Sequence, residues 1–447
     1  MLDLEQYQIT GSTAREIAAS AEAGIRREAL RAGDALPTVR ALAERLGTSP
    51  ATVNAAYRIL RERGFVRADG RRGTHVAARP AVRAPTRQRH EHAGDGLRDL
   101  SAGLPDPALL PPLRPALDSL ALERNAAADG FEFALPELLA FAREWYRRDG
   151  VDPGAIAVVS GASDAIERVV SARLRPGDRV LVEDPGYPPI RDILLAAGLV
   201  EEPVAVDGRG MRPDALQAAL AREAQAMLVV PRSQNPTGAA LDASRAAELR
   251  TVLDAHPRLF VIEDDHASEV AGTPFVGLSG PGRERWTVIR SMSKILTPDL
   301  RLAVMAGDEE TIARVEGRQA LGPRWVSHLL QGTAAAMLSD PGFAATCARA
   351  TAVYGERRDA LIAALATRDI SVVGTSGLNL WVPVREEAPV VRALAQDGWL
   401  VQAGERFRLH TPPGVRITTT LLAPGEAEAI AASIARVEHS GRRRGSY

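Results

Sequence analysis

Apolar side chains recur at helical spacing three times within residues 13–65. Thr13 and Glu16 stand at capping-box spacing, and Ile17, Ala21 and Ile25 follow one turn apart. Val39, Leu42, Ala43 and Leu46 form a second stripe stopped by Gly47; Val53, Ala56, Tyr57 and Leu60 form a third stopped by Gly64. Only Gly47-Thr48-Ser49 separates these two, with Ser49 placed to cap the next helix and Pro50 at its first position. The pattern predicts a helix-turn-helix. Two short alternating runs, Phe65-Val66-Arg67 and Thr74-His75-Val76, predict a hairpin whose tip carries Gly70, Arg71 and Arg72.

Periodicity then stops. From Ala77 to Gly96 the chain has four arginines, two prolines and two histidines, a composition that reads as a tether. His90 and His92 lie there without a thiol nearby, so a solvated linker is expected and no metal site. After Leu97, helical patterns alternate with the apolar runs AIAVVS, RVLVE, AMLVVP, LFVIED and TVIRS. That alternation predicts an α/β domain with a largely parallel sheet, in which ligands bind beyond the carboxyl ends of the strands. The expected layout is a head over 1–78, a linker over 79–97 and a body over 98–447.

Charge sharpens this division. Residues 1–90 hold sixteen arginines against nine acids, a net +7 that leaves −8 for the rest of a chain whose total is −1. A basic head on an acidic body points to a polyanion as the partner of the head alone. Small or polar residues (Ala51, Thr52, Asn54, Ala55, Arg58) face away from the core stripe of the third helix. Such a face fits a DNA major groove, where an asparagine pairs with adenine, while a glycine-flanked arginine tip suits phosphates or a minor groove. The single cysteine, Cys347, excludes an internal disulfide, and no run of about 20 apolar residues suggests a membrane span. The acidic start MLDLEQYQITGS does not resemble a leader, so a cytoplasmic protein is expected.

Of the 55 basic side chains, only Lys294 is a lysine. Arginine stays protonated and cannot condense with an aldehyde, so the lone amine is a candidate nucleophile. The ends of the predicted strands supply its surroundings. Ser160-Gly161-Ala162-Ser163 precedes a helix expected near Asp164, where amides and hydroxyls cradle phosphate. Ser291 and Ser293 flank the lysine and Arg301 follows, donors suited to a dianion. Asp264 ends a strand of buried character, where a protonated ring nitrogen would compensate its charge. Asn235 can donate to a phenolic oxygen, and Tyr187 offers a face for stacking. Together these residues describe pyridoxal 5'-phosphate.

The stretch LPTVRALAERLGTSPATVNAAYRILRERGFVRADGRRGTHV resembles the GntR-type winged helix. SGASDAI, VEDPGYP, NPTG, IEDDH and SMSKILTPDLR resemble, in order and spacing, the fold-type I, aspartate-aminotransferase-like enzymes. The combination resembles the MocR subfamily of regulators. That resemblance implies a multidomain protein: an all-α winged helix-turn-helix, then an α/β body with a large, mainly parallel sheet and a smaller C-terminal α+β part. It implies DNA contacts from Arg40, Ser49, Thr52, Asn54, Gly70, Arg71 and Arg72. It implies cofactor contacts from Gly161, Ala162, Ser163, Tyr187, Asn235, Asp264, His266, Ser291, Ser293 and Arg301, with an internal aldimine on Lys294. Arg416 matches the arginine that grips a substrate carboxylate. A homodimer is implied, with each head able to pack on the other subunit's body.

Five positions depart from the pattern. Pro50 replaces a DNA-contacting arginine, and His266 replaces tyrosine. DGFEFAL over 129–135 lacks a tyrosine that reaches a neighbour's phosphate, Asp299 replaces glycine, and Thr418 to Thr420 replace glycine and phenylalanine. These changes argue against an efficient transaminase more than against cofactor binding. The expected function is a regulator that binds double-stranded operator DNA and senses an amine, an amino acid or a B6 vitamer at Lys294. A working aminotransferase is the alternative, distinguished by turnover.

Overall fold

The computed structural model describes residues 9–26, 29–62, 65–68, 73–77, 96–120, 133–279, 282–374 and 376–444. The hairpin tip Asp69 to Arg72, the tether residues His90 and His92, and residues 129–132 lie outside them. The chain folds as two compact units.

In the head, the three apolar stripes become α1 (Ala14–Arg26), α2 (Val39–Leu46) and α3 (Pro50–Glu62). The capping box forms: Glu16 N donates to Thr13 Oγ1 at 3.3 Å and Thr13 N to Glu16 Oε2 at 3.2 Å. Gly47 ends α2 at φ +62°, a left-handed conformation that glycine adopts without a Cβ clash. Ser49 Oγ then accepts from Thr52 N at 3.1 Å, capping α3. Ile17, Leu42, Val53, Ala56 and Leu60 are wholly buried between the helices. Each large aliphatic among them contributes about 1.5–3 kcal/mol through lost water contact. Strands β1 (Val66–Ala68) and β2 (Thr74–Val76) pair antiparallel, Val66 opposite Val76.

In the body, β3 (Arg98–Asp99) leads into α4 (Leu113–Asp118) and α5 (Pro136–Arg148). The large sheet is built from β4 (Ala155–Val159), β5 (Arg179–Asp184), β6 (Val200–Asp207), β7 (Gly210–Met211), β8 (Ala226–Val229), β9 (Phe260–Asp265), β10 (Trp286–Ser291) and β11 (Ala303–Gly307). Their order is β4-β11-β10-β9-β8-β5-β6-β7. β10, β9, β8 and β5 run parallel, whereas β11 is antiparallel to both its neighbours. All five predicted runs are strands of this sheet. After β4, α6 (Ala162–Arg173) starts two residues before the expected Asp164, because Gly161 at φ +95° turns the chain directly into the helix.

The smaller C-terminal part is α+β. Strands β12 (Asn379–Pro383), β14 (Gln402–Ala403) and β15 (Gly414–Thr418) form an antiparallel sheet, while β13 (Trp399–Leu400) pairs with β3. Leu361, Leu380, Val415, Ile417, Ile430 and Ile434 share its core with Leu100, so the segment that follows β3 is packed into this part. No described helix is long and apolar enough to cross a membrane.

Candidate functional site

A cavity of about 190 Å³ opens at the carboxyl ends of the parallel strands. Ala162, Ser163, Tyr187, Asn235, Asp264, His266, Ser291, Ser293, Lys294, Arg301 and Arg416 all line it. Apart from Arg416, which β15 of the smaller sheet supplies, these dispersed residues meet because they lie at or just beyond the ends of neighbouring strands of one sheet.

Lys294 Nζ donates to Gly103 O at 2.6 Å. Burial lowers its ammonium to about 8, with the Arg416 and Arg301 charges acting in the same direction. About a tenth is thus the neutral, nucleophilic amine at pH 7, far more than for an ordinary lysine. Asp264, 4 % exposed at the end of β9, has an Oδ1 with no hydrogen-bond partner. Burial raises its carboxyl to about 7, helped by the charge of Asp265. A buried carboxyl without a donor is costly, and it calls for a cation or N–H from a ligand.

At the other end, the N-terminus of α6 has no side-chain cap, leaving its first amides free for an anion. Arg301 lies directly over this end: a Cβ on Gly161 would meet its Nη2 at 3.2 Å. Gly161 therefore acts by what it lacks, since a Cβ would crowd the guanidinium and would be strained at φ +95°. Arg301 itself sits at φ +47°, a strained conformation for a residue with a Cβ.

Arg416, on β15, is 4 % exposed and has no carboxylate partner among the described residues. Its Nη1 donates to Asn235 Oδ1 at 3.1 Å, its Nη2 donates to Ser101 O, its Nε is unpartnered, and Phe407 stacks on it at 4.9 Å. Burial lowers its guanidinium to about 10. An uncompensated buried cation facing a cavity favours an anionic ligand.

Sequence reasoning missed the segment Ser101 to Leu104. Lys294 and Arg416 both donate to its carbonyls, Thr418 Oγ1 accepts from Gly103 N at 3.2 Å, and Thr420 Oγ1 donates to Leu104 O at 2.7 Å. The threonines that depart from the expected glycine and phenylalanine thus hold this strap over the cavity. Gly103, at φ +63°, was the available signal.

A second omission lies behind Asp264. Strand alternation turns Asp265 to the opposite face, where Arg232 grips it with two bonds of 2.8 Å and Arg290 Nε approaches to 3.2 Å. Arg290 also donates to Asp149 at 2.5 Å and lies within 4.7–5.1 Å of the rings of Tyr146, Trp145 and Phe275. These arginines hold the Asp265 carboxyl below its usual range against the opposing effect of burial.

On the head, Arg40, Ser49 and Asn54 are exposed and Thr52 is half-buried, all on or beside α2 and α3. Gly70, Arg71 and Arg72 fall outside the described residues.

Residues 13–76 match the model of the bacterial regulatory proteins of the gntR family, and residues 99–434 match aminotransferase class I and II. The vitamin B6 salvage pathway transcriptional repressor PtsJ of Salmonella typhimurium is 39% identical over 428 residues, covering 95% of this chain and 98% of that protein. The probable rhizopine catabolism regulatory protein MocR of Rhizobium meliloti is 26% identical, covering 86% of this chain and 85% of that protein. This chain belongs to the MocR-type regulators. Its body has the fold of the aminotransferases: the kynurenine aminotransferase of Pyrococcus horikoshii superposes with a TM-score of 0.70 at 21% identity, over 79% of this chain and 92% of that one.

The residues of this MocR-type body fit pyridoxal phosphate. The unpartnered Asp264 Oδ1 suits a protonated ring nitrogen, the uncapped start of α6 beside Arg301 suits a phosphate, and Lys294 is a desolvated amine lining the same cavity. The gntR-type head implies DNA binding.

Proposed function

We propose that this chain is a pyridoxal-phosphate-dependent transcriptional regulator that senses an amino compound or a B6 vitamer through Lys294. Residues 1–78 hold operator DNA, 79–97 are the tether, and 98–447 are the sensing body. The reading rests above all on one observation: the only lysine of an arginine-rich chain stands in the cavity with the unpartnered Asp264. When bound, pyridoxal phosphate supplies an aldehyde that condenses with a primary amine.

This chain's own residues do the rest. Arg301, Ser163, Ser291 and Ser293 hold the phosphate end, Asp264 holds the ring nitrogen, and Tyr187 covers the ring. Lys294 delivers an uncharged amine, and Arg416 receives a carboxylate. Lys294 and Arg416 are also the two donors that hold the Ser101–Gly103 strap, so a ligand that engages them competes with the strap's own bonds. That competition gives the body two states with different contacts, which is what a sensor requires. The strap follows the tether in sequence, and two copies of the chain would present paired heads to a two-fold operator. That the PtsJ relative is a transcriptional repressor of a vitamin B6 salvage pathway favours a vitamer among the candidate effectors.

The test is to titrate the purified chain, loaded with pyridoxal phosphate, with a panel of amines and vitamers while absorbance and operator affinity are recorded together. Borohydride reduction should leave a phosphopyridoxyl mass on the peptide containing Lys294. An operator affinity indifferent to every ligand would exclude sensing. Arg40→Ala should weaken operator binding without changing the absorbance. A second reading, an active aminotransferase, is favoured by Arg416, whose free charge suits an amino acid. Release of keto acid in repeated turnovers would establish it.

A further inference from the structure

Asp264 and His266 lie two residues apart at the end of β9 and both line the cavity, whereas Asp265 between them faces the arginine pair. His266 Nε2 is 2.9 Å from Ser233 O. A carbonyl oxygen only accepts, so Nε2 carries the proton. The acceptor is fixed: Ser233 sits at φ +55°, its N–H donates to Ser376 Oγ at 3.1 Å, and that hydroxyl donates to Ala271 O at 2.9 Å.

The ring is neutral. Burial lowers its pKa to about 4; the Lys294 and Arg232 charges oppose protonation, and Asp265 favours it. A neutral imidazole with its proton on Nε2 has a lone pair on Nδ1, which has no partner among the described residues. His266 therefore offers the cavity an acceptor.

Asn235 offers the opposite. A guanidinium only donates, so the atom facing Arg416 Nη1 is Oδ1, and the Asn235 amide is left to donate from Nδ2. A ligand oxygen shared by the two residues must accept from Asn235 and donate to His266. A hydroxyl does both; an oxyanion or an ether cannot.

We propose that His266 is a specificity-determining contact that holds the phenolic oxygen of a bound hydroxypyridine in its protonated hydroxyl form. The proposal rests on the reading of this cavity as a pyridoxal phosphate site and adds which ionisation state the site selects. A tyrosine here would instead donate its hydroxyl to that oxygen and favour the oxyanion. The substitution His for Tyr thus reverses the direction of one hydrogen bond.

The probe is 4'-deoxypyridoxine 5'-phosphate, which has no aldehyde and leaves Lys294 free. Its absorbance, followed as pH is raised in complex with the full chain, reports when the ring hydroxyl ionises. In the native chain the ionisation should fall at least about one pH unit, a tenfold population shift, above that in His266→Tyr. Nitrogen NMR of the ligand-free native chain, with the signal assigned by its loss in His266→Gln, should show Nε2 protonated and Nδ1 bare. An oxyanion bound to the native chain, equal ionisation in both proteins, or a proton on Nδ1 would overturn the proposal and leave the cofactor site standing. Failure of the analogue to bind the native chain at all would overturn the cofactor reading and this proposal with it.

Discussion

The two faces of β9 treat buried charge in opposite ways. On one, Asp265 is gripped by Arg232 and Arg290, Arg290 is shared with Asp149, and three aromatic rings enclose the guanidinium. On the other, Asp264, Lys294 and Arg416 each lack an oppositely charged bonded partner. Adjacent residues of one strand thus divide between holding the fold and holding a ligand. Paired buried charges are compensated within the chain; unpaired ones destabilise it until something outside the chain compensates them.

The largest expected effect breaks the paired face. Arg290→Met leaves Asp265 and Asp149 short of a cation and should cost about 3–5 kcal/mol, read as a fall in the urea midpoint. A variant as stable as the native chain would show that the network holds nothing together. The next effect has the opposite sign. The Asp264 carboxyl is raised to about 7 from 3.8, so its folded-state penalty is full above pH 7 and vanishes as pH falls towards 3.8. Asp264→Asn should therefore stabilise the ligand-free chain at pH 8, and the gain should disappear near pH 4 in thermal melts. The same variant should bind pyridoxal phosphate roughly ten- to a hundredfold more weakly by equilibrium dialysis, the loss of a charge-assisted bond.

Lys294→Met should stabilise less, and with the reverse pH trend. The ammonium is lowered from 10.5 to about 8, so its penalty is full below pH 8 and fades as pH rises towards 10.5. Melts of the two proteins should converge at alkaline pH; a constant difference would mean that packing, not charge, sets it. The smallest effect tests the paired side without touching a charge. Tyr146 Oη lies 2.9 Å from Val288 O and 3.0 Å from Val304 O, and Tyr146→Phe should cost about 1 kcal/mol with no pH dependence below the range where phenols ionise.

Much of this was legible in the chain. The three helices of the head, the turn caps and the five core strands follow from periodicity, because a residue's burial there is set by neighbours three, four or two positions away. Most cavity residues were found because they stand at or just beyond strand ends and the only lysine marks the centre, whereas Arg416, inside β15, was pointed to by the resemblance alone. What escaped was set by pairing. The strand β6 was not recognised because Glu202 points inward, breaking the apolar pattern, and is neutralised by Arg222 at 2.5 Å. Nothing in the order of residues singles out Arg232 and Arg290, because the Asp265 they compensate is brought to them only by the fold. Ser101 to Leu104 has no periodicity, and its importance comes from donors more than 190 residues away.

The amino-acid order alone determined the two-part organisation, the helix-turn-helix, the strand-and-helix alternation and the chemical identity of the candidate site, since local spacing and residue type carry all of these. Only the tertiary structure decided which aspartate is compensated, which atom of His266 bears its proton and what Lys294 and Arg416 hold. Those are properties of contacts between distant segments, and a hydrogen bond's direction is set by whichever atom the fold brings opposite.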